Sequence, residues 1–464
     1  MTTAPAESLA SLESIVADAV QLALAGGATA AECTIAEGEE FSVGVRMREI
    51  ETLKEAGSRG AGIRVLTGEA GALRVGSSYT SDLTPQGMRT MVQQALELAK
   101  ITSVDPFAGL PEASEMGKHP ADLKLYDEAI GGMTTEWKID QALRAEKAAL
   151  DFDPRIQLSE GASFDSHLGR RVFANSLGFV GSYRTSSCSL SVVPVAKTGE
   201  AGSETMERDY WHTSARHAAG LESPELVGRT AAERTLRRLN ARKVPTQKVP
   251  VIFEPRTARQ ILGDIFDAVN GSSIYREASF LAGKLGEKIA SEALTIIDDA
   301  TMPGLFGSAP FDDEGVASRR TVVIERGVLK SYLLNSYSAR KLNMKTTGSA
   351  SRGVTGNAGI GPGNFFMQAG ALPQAEIIAS VPNGLYVTEL IGGGGNTVTG
   401  DYSSGAAGLW IENGKLAYPV SEITIAGNMK QMLQAIDQVG SDLEFRGSMA
   451  APTILIREMT ISGQ

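Results

Sequence analysis

Apolar residues recur at every third or fourth position in five segments of the chain, which is the spacing of an amphipathic α-helix. The segments with this spacing are residues 8–25, 84–99, 134–151, 222–239 and 256–269. Thr84-Pro85 marks the start of the second segment, because it combines an N-cap residue with a proline in the first turn. Gly26-Gly27 marks the end of the first. The pattern therefore predicts five helices.

Shorter runs of apolar and β-branched residues lie between these helices and predict β-strands. In the first half they are residues 31–36, 41–56, 62–78 (with a turn at 67–71), 155–160, 171–174 and 179–194. In the second half they are residues 248–254, 293–297, 320–325, 328–334, 384–390, 408–411 and 421–426. We expect an α+β chain, with an α/β domain over residues 1–245 and a β-rich, barrel- or sandwich-like domain over residues 246–464.

The charge balance argues against two classes of partner. Lys and Arg total 44 and Asp and Glu total 54 in the 464 residues, so the formal net charge is −10. Nucleic acid and anionic membranes both attract basic surfaces, so we expect neither partner. The chain shows no leader pattern and no apolar stretch near the ~20 residues of a membrane span. Its two cysteines, Cys33 and Cys188, fit a reducing compartment, so we expect a cytoplasmic protein.

The positions of histidine and cysteine limit the catalytic chemistry of the second half. The four histidines lie at positions 119, 167, 212 and 217, and neither histidine nor cysteine occurs after position 217. Residues 218–464 therefore cannot supply a Ser-His-Asp triad, a Cys-His pair or an ordinary zinc site of their own. A catalytic site there would have to use carboxylates, lysine, tyrosine or backbone groups.

Carboxylates form three groups that invite a hard-cation interpretation. Asp298-Asp299 and Asp312-Asp313-Glu314 have turn-like neighbours, so we expect solvated turns at both places. Asp264 and Asp267 lie one turn apart on the fifth predicted helix and share a face. The sequence shows no third ligand beside this pair.

The glycine-rich segment at residues 392–400 has the spacing of a phosphate-binding loop between Gly395 and Gly400. Asp401 and Tyr402 follow where such a loop has Lys and then Ser or Thr, so nucleotide binding is not favoured. Two interpretations stay open. The segment is either a loop that connects strands or a loop whose exposed backbone meets an extended peptide.

Several stretches resemble the TldD/PmbA family, and the resemblance covers nearly the whole chain. Residues 398–403 read Val-Thr-Gly-Asp-Tyr-Ser, and residues 418–428 read Tyr-Pro-Val-Ser-Glu-Ile-Thr-Ile-Ala-Gly-Asn. These two stretches resemble in particular the PmbA branch, which is also called TldE. Further resemblance lies at residues 62–65, 77–84, 311–316 and 328–333.

The resemblance implies a two-subunit metalloprotease. In the TldD branch, a His-Glu-x-x-x-His helix and a cysteine near the C-terminus hold the catalytic metal, and the glutamate is the expected base. Here the corresponding positions carry Leu262, Gly263 and Asp267, and the cysteine stretch falls at residues 446–449 without a thiol. The resemblance therefore implies no catalytic residue and no metal in this chain, with zinc in the partner subunit.

We expect this chain to be the PmbA/TldE-type subunit of a cytosolic heterodimeric metalloprotease that acts on unfolded peptides. Its expected partner is a TldD-type chain, and a homodimer is an option for the isolated chain. The expected peptide contacts are Gly392, Gly393, Gly394, Gly395, Asn396, Asp401 and Tyr402. Two alternatives stay open: a stand-alone hydrolase that uses Asp264 and Asp267 with a hard cation, and an interaction protein that modulates gyrase or an antitoxin without proteolysis.

Overall fold

The first half of the chain forms an antiparallel sheet with helices packed on it. The computed structural model describes residues 8–199 and 205–463. The elements of this half are α1 (Leu9–Ala25), β1 (Ala30–Arg46), β2 (Glu49–Thr67), β3 (Arg74–Thr80), α2 (Pro85–Ile101), α3 (Glu128–Gly131), α4 (Thr135–Leu150), β4 (Ile156–Asn175), β5 (Val180–Thr198), β6 (Thr205–Arg208), β7 (Trp211–Ala215) and α5 (Pro224–Leu236). Within the described residues the strands pair in the order β3-β2-β1-β4-β5, and both β6 and β7 pair with β5.

The long helices of this half begin where the sequence pattern predicts. Each starts after a Ser or Thr whose side-chain oxygen accepts a backbone N–H from the first turn: Ser8, Thr84, Thr134 and Ser223. Helices α1 and α2 share one apolar core with the sheet, and α4 and α5 share another. The four predicted helices of the first half are therefore confirmed to within a few residues.

The strands of this half are longer than the sequence pattern predicts. β1 and β2 form one hairpin that turns at Met47 and Arg48, whose φ angles are 50° and 70°. A two-residue turn with positive φ usually carries Asn, Asp or Gly, so this turn leaves no local signal. The single strand predicted over 41–56 is therefore wrong, whereas the turn predicted at 67–71 does separate β2 from β3.

The second half contains a closed β-barrel and a second, smaller sheet. Its elements are β8 (Gln247–Phe253), α6 (Pro255–Val269), α7 (Gly271–Tyr275), β9 (Ile296–Asp299), β10 (Arg320–Glu325), β11 (Val328–Leu329), α8 (Ser336–Lys341), β12 (Ala350–Ser351), β13 (Gly359–Ile360), β14 (Phe365–Met367), α9 (Gln374–Ala379), β15 (Asn383–Gly395), β16 (Asp401–Glu412), β17 (Lys415–Asn428), α10 (Met429–Gln434), β18 (Ile436–Val439), β19 (Met449–Ala450) and β20 (Ile454–Ser462).

Strand pairing closes the barrel. In the described part of this half, β17-β16-β15-β8-β20 pair in that order, and β17 pairs back onto β20. The second sheet has the order β11-β10-β9-β14-β19. The α+β class is therefore confirmed, and the β-rich region is a barrel rather than a sandwich.

Helix α6 lies between the barrel and the second sheet. It packs against β15 of the barrel and against β19 of the sheet. Its buried face joins the largest apolar core through Ala258, Ile261, Leu262, Ile265, Phe266, Ala268 and Val269. Among the described helices, none combines the length and the apolar character needed to cross a bilayer.

Buried ion pairs join the two halves. Glu32 of β1 lies between Arg64 and Arg352, with N···O distances of 2.8 and 2.7 Å. Arg171 of β4 pairs with Asp313 at 2.8 Å. Loss of one partner from a buried pair leaves the other charge uncompensated, which is strongly unfavourable. These pairs therefore link the first half of the chain to the second.

The two acidic groups that the sequence places in turns are buried, so the prediction of solvated turns is wrong. Asp298 lies in β9, and burial raises its pKa to about 7. Asp312 accepts hydrogen bonds from the backbone N–H groups of Glu314 and Ala350. Burial, with the charge of Glu314, raises the pKa of Asp312 well above its ordinary value. These carboxyl groups accept hydrogen bonds from buried backbone N–H groups and do not face solvent.

Candidate functional site

Helix α6 presents a polar stripe opposite its buried face. The residues of this stripe are Arg256, Arg259, Gln260, Gly263, Asp264 and Asp267. They recur every three or four positions, so they share one side of the helix. The stripe is basic near the start of the helix and acidic near its end.

The positions that the resemblance aligns with the metal-binding motif fall on this helix. Leu262 is fully buried in the core. Gly263 faces open space, since an added Cβ would meet no heavy atom within 4 Å. Asp267 is exposed. Within residues 8–199 and 205–463, no group of three His, Cys, Asp or Glu side chains is placed to hold a metal ion. The donor set on α6 does not fit a catalytic zinc, which takes three protein ligands.

The two carboxylates of the stripe differ in their surroundings. Asp264 is half-buried, and burial is the main reason that its pKa lies above the ordinary value of 3.8. The nearby charge of Asp267 raises the pKa of Asp264 further, while a hydrogen bond from the backbone N–H of Gly395 lowers it. Asp267 is more exposed, and partial desolvation raises its pKa as well. These shifts disfavour the ionised form that a hard cation would need.

The glycine run is the end of strand β15 rather than a loop. Its pairing with β16 shifts register between Ile391 and Gly394, which is a β-bulge. Gly392 and Gly393 have φ angles of 60° and 70°, and that of Gly394 is 135°. The turn itself spans residues 396–400. The bulge therefore needs glycine for its backbone conformation.

The glycine run also lies close to two other chain segments. A Cβ on Gly393 would lie 2.0 Å from the carbonyl oxygen of Ser403. A Cβ on Gly394 or Gly395 would lie 3.2 or 3.1 Å from the carboxyl group of Asp264. The fold thus brings together the glycine segment and the acidic end of α6, which the sequence treats as separate candidates.

The residues after the glycines have structural partners of their own. The side-chain oxygen of Asn396 accepts hydrogen bonds from the backbone N–H groups of Val398 and Thr399. Asp401 accepts hydrogen bonds from the side chains of Thr399 and Asn428, at 2.8 and 3.0 Å. Both side chains therefore hold the turn in place.

Tyr402 is 3% exposed and packs in the core of the second half. Burial raises the pKa of its hydroxyl, with a smaller contribution from the charge of Asp264. A buried ring cannot stack on a bound peptide, so the structure contradicts the direct peptide contact expected of Tyr402. Tyr402 lies on β16 opposite Gly395, so it supports the glycine-rich end of β15 instead.

One edge of β15 is unpaired beside this helix. β15 pairs with β8 only through Leu385–Val387, whereas its pairing with β16 continues to Gly395. From Thr388 onward, the edge on the β8 side has no strand partner among the described residues. The carbonyl oxygen of Thr388 accepts a hydrogen bond from Arg256, at the basic end of the stripe. The unpaired edge of β15 therefore begins beside the first turn of α6. Its residues Ile391, Gly392 and Gly393 are exposed.

The segment that the resemblance aligns with the cysteine stretch also lies beside α6. Met449 begins β19, which packs against α6. Arg446 pairs with Glu222 at 2.5 Å, and its guanidinium lies 4.4 Å from the centre of the Trp211 ring. The structure therefore places all three predicted features, the replaced motif, the glycine strand and the cysteine-stretch segment, around one helix.

Sequence reasoning missed a polar cavity of about 290 Å³ between the two halves. Residues from both halves line it, among them Trp211, His212, Arg237, Arg259, Gln374 and Arg446. Burial and the charges of Arg446, Arg259 and Arg256 lower the pKa of His212 to about 4. The sequence does show a high density of arginine at residues 234–259, which could have indicated such a cavity. A basic helix face exposed to solvent explains the same arginines equally well.

Comparison with known proteins identifies the family. Three models match the chain: PmbA/TldA metallopeptidase domain 1 at residues 31–99, the central domain at 128–239 and the C-terminal domain at 246–463. The chain is 40% identical over 453 residues to Metalloprotease PmbA of Escherichia coli O157:H7, covering 98% of this chain and 96% of that protein. It is 38% identical to the Metalloprotease PmbA homolog of Haemophilus influenzae, covering 97% and 96%.

Solved structures agree with this assignment. The crystal structure of a Bacteroides thetaiotaomicron protein, named for a role in modulating DNA gyrase, has a TM-score of 0.89 at 28% identity. It covers 97% of this chain and 99% of that chain. TldE of Thermococcus kodakarensis shares the fold, with a TM-score of 0.83 at 22% identity and coverage of 97% and 100%. The chain therefore belongs to the PmbA/TldD family of metallopeptidases, in its PmbA branch.

Proposed function

We propose that this chain is the metal-free subunit of a cytoplasmic heterodimeric metalloprotease. In this proposal it binds unfolded peptides, while a TldD-type partner supplies zinc and the catalytic base. The supporting observation is helix α6, where Leu262 and Gly263 offer no ligand atom and Asp267 is an exposed carboxylate. A catalytic zinc needs three protein ligands and a group that activates its water.

The peptide-binding part of the proposal rests on the unpaired edge of β15. An extended peptide can add to such an edge through main-chain hydrogen bonds, which are tolerant of sequence. Gly392 is exposed on this edge, and open space lies where its side chain would be, so another backbone could approach there. Ile391 is 58% exposed beside them and offers an apolar contact. An edge of this kind suits unfolded substrates of varied sequence.

A stand-alone hydrolase is the second candidate, because Asp264 and Asp267 share the acidic end of the stripe. Their raised pKa values weaken both as cation ligands. No third carboxylate among the described residues completes a site around them. The geometry therefore favours a peptide-binding role for this end of α6 over a catalytic one.

The test compares three preparations from one source: this chain alone, the TldD-type chain alone, and the two chains coexpressed. We expect a stable complex in which zinc follows the partner, and we expect cleavage of an unfolded peptide to be fastest in the complex. Equal cleavage rates for the partner with and without this chain would remove the proposed function. Stoichiometric zinc on this chain alone, lost in Asp264→Asn, would favour the hydrolase.

A variant at Gly263 tests the peptide-binding part. A Cβ added there meets no heavy atom within 4 Å, so we expect Gly263→Trp to fold and assemble normally. The indole would lie on the open face of α6 and obstruct a peptide beside β15, so we expect a higher KM with an unchanged Tm. Gly57→Trp is the matched control, because Gly57 is an exposed glycine of β2 with equally open space.

A further inference from the structure

Most of the charged side chains around the polar cavity between the two halves form ion pairs with one another. Arg234 contacts Glu254 at 2.5 Å and Asp209 at 3.3 Å. Arg256 contacts Asp209 at 3.0 Å and Glu254 at 3.3 Å. These side chains are less than a fifth exposed. Of the other carboxylates that line the cavity, Glu444 pairs with Arg446, and Asp442 accepts hydrogen bonds from Gln374 and Thr453. The five arginines of the lining outnumber its three carboxylates, so the wall favours an anion over a cation.

Arg259 is the exception among these arginines. It lines the cavity one turn after Arg256 and has no hydrogen bond or ion pair within the described residues. Two further polar atoms in the cavity wall are buried without a partner, the Nε of Arg237 and the Nδ1 of His212. A buried polar atom without a hydrogen-bond partner is unfavourable. These two atoms could therefore bond to a ligand in the cavity, beside the guanidinium of Arg259.

This arrangement favours an anionic ligand of small size. A guanidinium binds a carboxylate through two parallel hydrogen bonds, which gives both strength and orientation. The cavity volume of about 290 Å³ is at the lower end of the range for small-molecule sites, so it accommodates a carboxylate with one or two residues attached. The Trp211 ring lies beside these groups, with the guanidinium of Arg446 4.4 Å from its centre.

The cavity lies beside the start of the unpaired edge of β15. Arg256 both lines the cavity and donates a hydrogen bond to the carbonyl oxygen of Thr388, where that edge begins. Arg259 and Gly263 lie one helical turn apart on the same stripe of α6. A peptide along the edge would therefore place one end at the arginines.

We propose that this cavity binds the C-terminal carboxylate of a peptide, with Arg259 as the main contact. Arg446, Gln374 and His212 complete the wall around it. A peptide held in this way has a defined direction, with its carboxyl end at the start of α6 and the preceding residues toward the glycine strand. This inference rests on the proposed function only in taking a peptide as the ligand.

The experiment uses the full isolated chain and calorimetric titration. The probes are N-acetylated tetra-alanine with a free carboxyl end, the same peptide as a C-terminal amide, sodium acetate and inorganic phosphate. We expect the free peptide to bind about tenfold or more tightly than the amide, because the amide cannot accept two charged hydrogen bonds. Acetate should bind weakly and compete with the peptide.

Two variants complete the test. Arg259→Gln should weaken the free peptide by about tenfold or more and should leave amide binding and the Tm unchanged, since Arg259 has no partner to lose. Arg89→Gln, an exposed arginine on α2, should change nothing. Equal binding of peptide and amide, binding of neither, or tighter binding of phosphate than of the peptide would each overturn the assignment.

Failure here is distinguishable from failure of the proposed function. The titration needs no partner subunit and no zinc, whereas the proposed function is tested by complex formation and cleavage rates. An active complex whose subunit shows no preference for a free carboxyl end would refute this inference alone.

Discussion

The two ends of helix α6 satisfy their charges in different ways. At the basic end, Arg256 contacts Asp209 and Glu254, and neighbouring arginines extend the same network into both halves. At the acidic end, Asp264 lies under the glycine strand and accepts a hydrogen bond from a backbone N–H group rather than an arginine. One end is therefore stabilised by paired charges, and the other carries charge that burial disfavours.

The difference shows that one polar stripe serves two purposes. At the basic end, the paired charges join the two halves, whereas Arg259 has no ion pair among the described residues and is available to a ligand. This end of the stripe therefore contributes both to stability and to binding. The acidic end is kept in place by the close packing of β15, whose glycines bring backbone against the Asp264 carboxyl group. Variants at the two ends should therefore differ in the size of their effect and in the sign of their pH dependence.

The largest effect is expected at the basic end, in Glu254→Gln. The side chain of Glu254 is 4% exposed and contacts Arg234, Arg237 and Arg256. Its neutralisation leaves buried guanidinium groups uncompensated, so we expect a loss of about 3–5 kcal/mol in the free energy of unfolding. Urea denaturation measures this loss.

Glu458→Gln is the control for that change, because Glu458 pairs with Lys248 on the surface, where both side chains are more than half exposed. We expect it to cost less than about 1 kcal/mol. Similar losses for the two variants would show that the buried network does not stabilise the junction.

A smaller loss is expected in the glycine strand, in Gly393→Ala. The new Cβ would lie 2.0 Å from a backbone oxygen of β16, and φ is 70°. Steric overlap and the left-handed conformation together should cost roughly 2–4 kcal/mol. Gly263→Ala on α6 should instead stabilise by about 0.5–1 kcal/mol, because its space is open and alanine favours helix. Thermal unfolding of both variants checks this contrast in sign.

At the basic end, we expect His212 to lower the free energy of unfolding as the pH falls. Its pKa is lowered from 6.5 to about 4, so the unfolded chain binds a proton more readily than the folded chain between these values. The stabilising contribution is present above pH 6.5 and is lost as the pH falls toward 4. Between these pH values, the wild type should lose about 1–3 kcal/mol more than His212→Gln. Parallel profiles from denaturant titrations would contradict this.

The smallest effect, of opposite sign, is expected at the acidic end. The folded-state pKa of Asp264 is raised above 3.8, so the folded chain holds that proton more tightly than the unfolded chain. Its contribution to stability therefore decreases as the pH rises through the folded pKa. Asp264→Asn should gain stability relative to wild type at pH 7, by less than about 1 kcal/mol because the group is half-exposed. A gain at low pH instead would reverse the sign and refute the burial argument.

Local features that the sequence encodes directly were predictable. Thr84 and Pro85 start α2 as expected, since capping depends on residues within one turn. The amphipathic period predicted α6, and the motifs at residues 398–403 and 418–428 identified the family branch. Leu262 is recognisable as a core residue from the same period. These properties depend on neighbours in sequence, so a single chain read locally contains them.

Features that depend on distant contacts were not predictable in this way. The hairpin turn at Met47-Arg48 adopts its conformation because the sheet imposes it, and the burial of Asp312 follows from backbone N–H groups such as that of Ala350. Tyr402 is expected from the sequence to contact a peptide, but it packs in the core of the second half. In each case tertiary packing overrides a local preference that carries only a small free energy.

The sequence by itself determined the five long helices, the β-rich character of the second half and the family. The tertiary structure alone decided that β17 closes onto β20, that the glycine strand covers Asp264, and that an arginine without a partner lines a cavity between the halves. The reason is physical. Periodicity and capping act over a few residues, whereas that cavity exists only when Trp211, Arg259 and Arg446 meet in the folded chain.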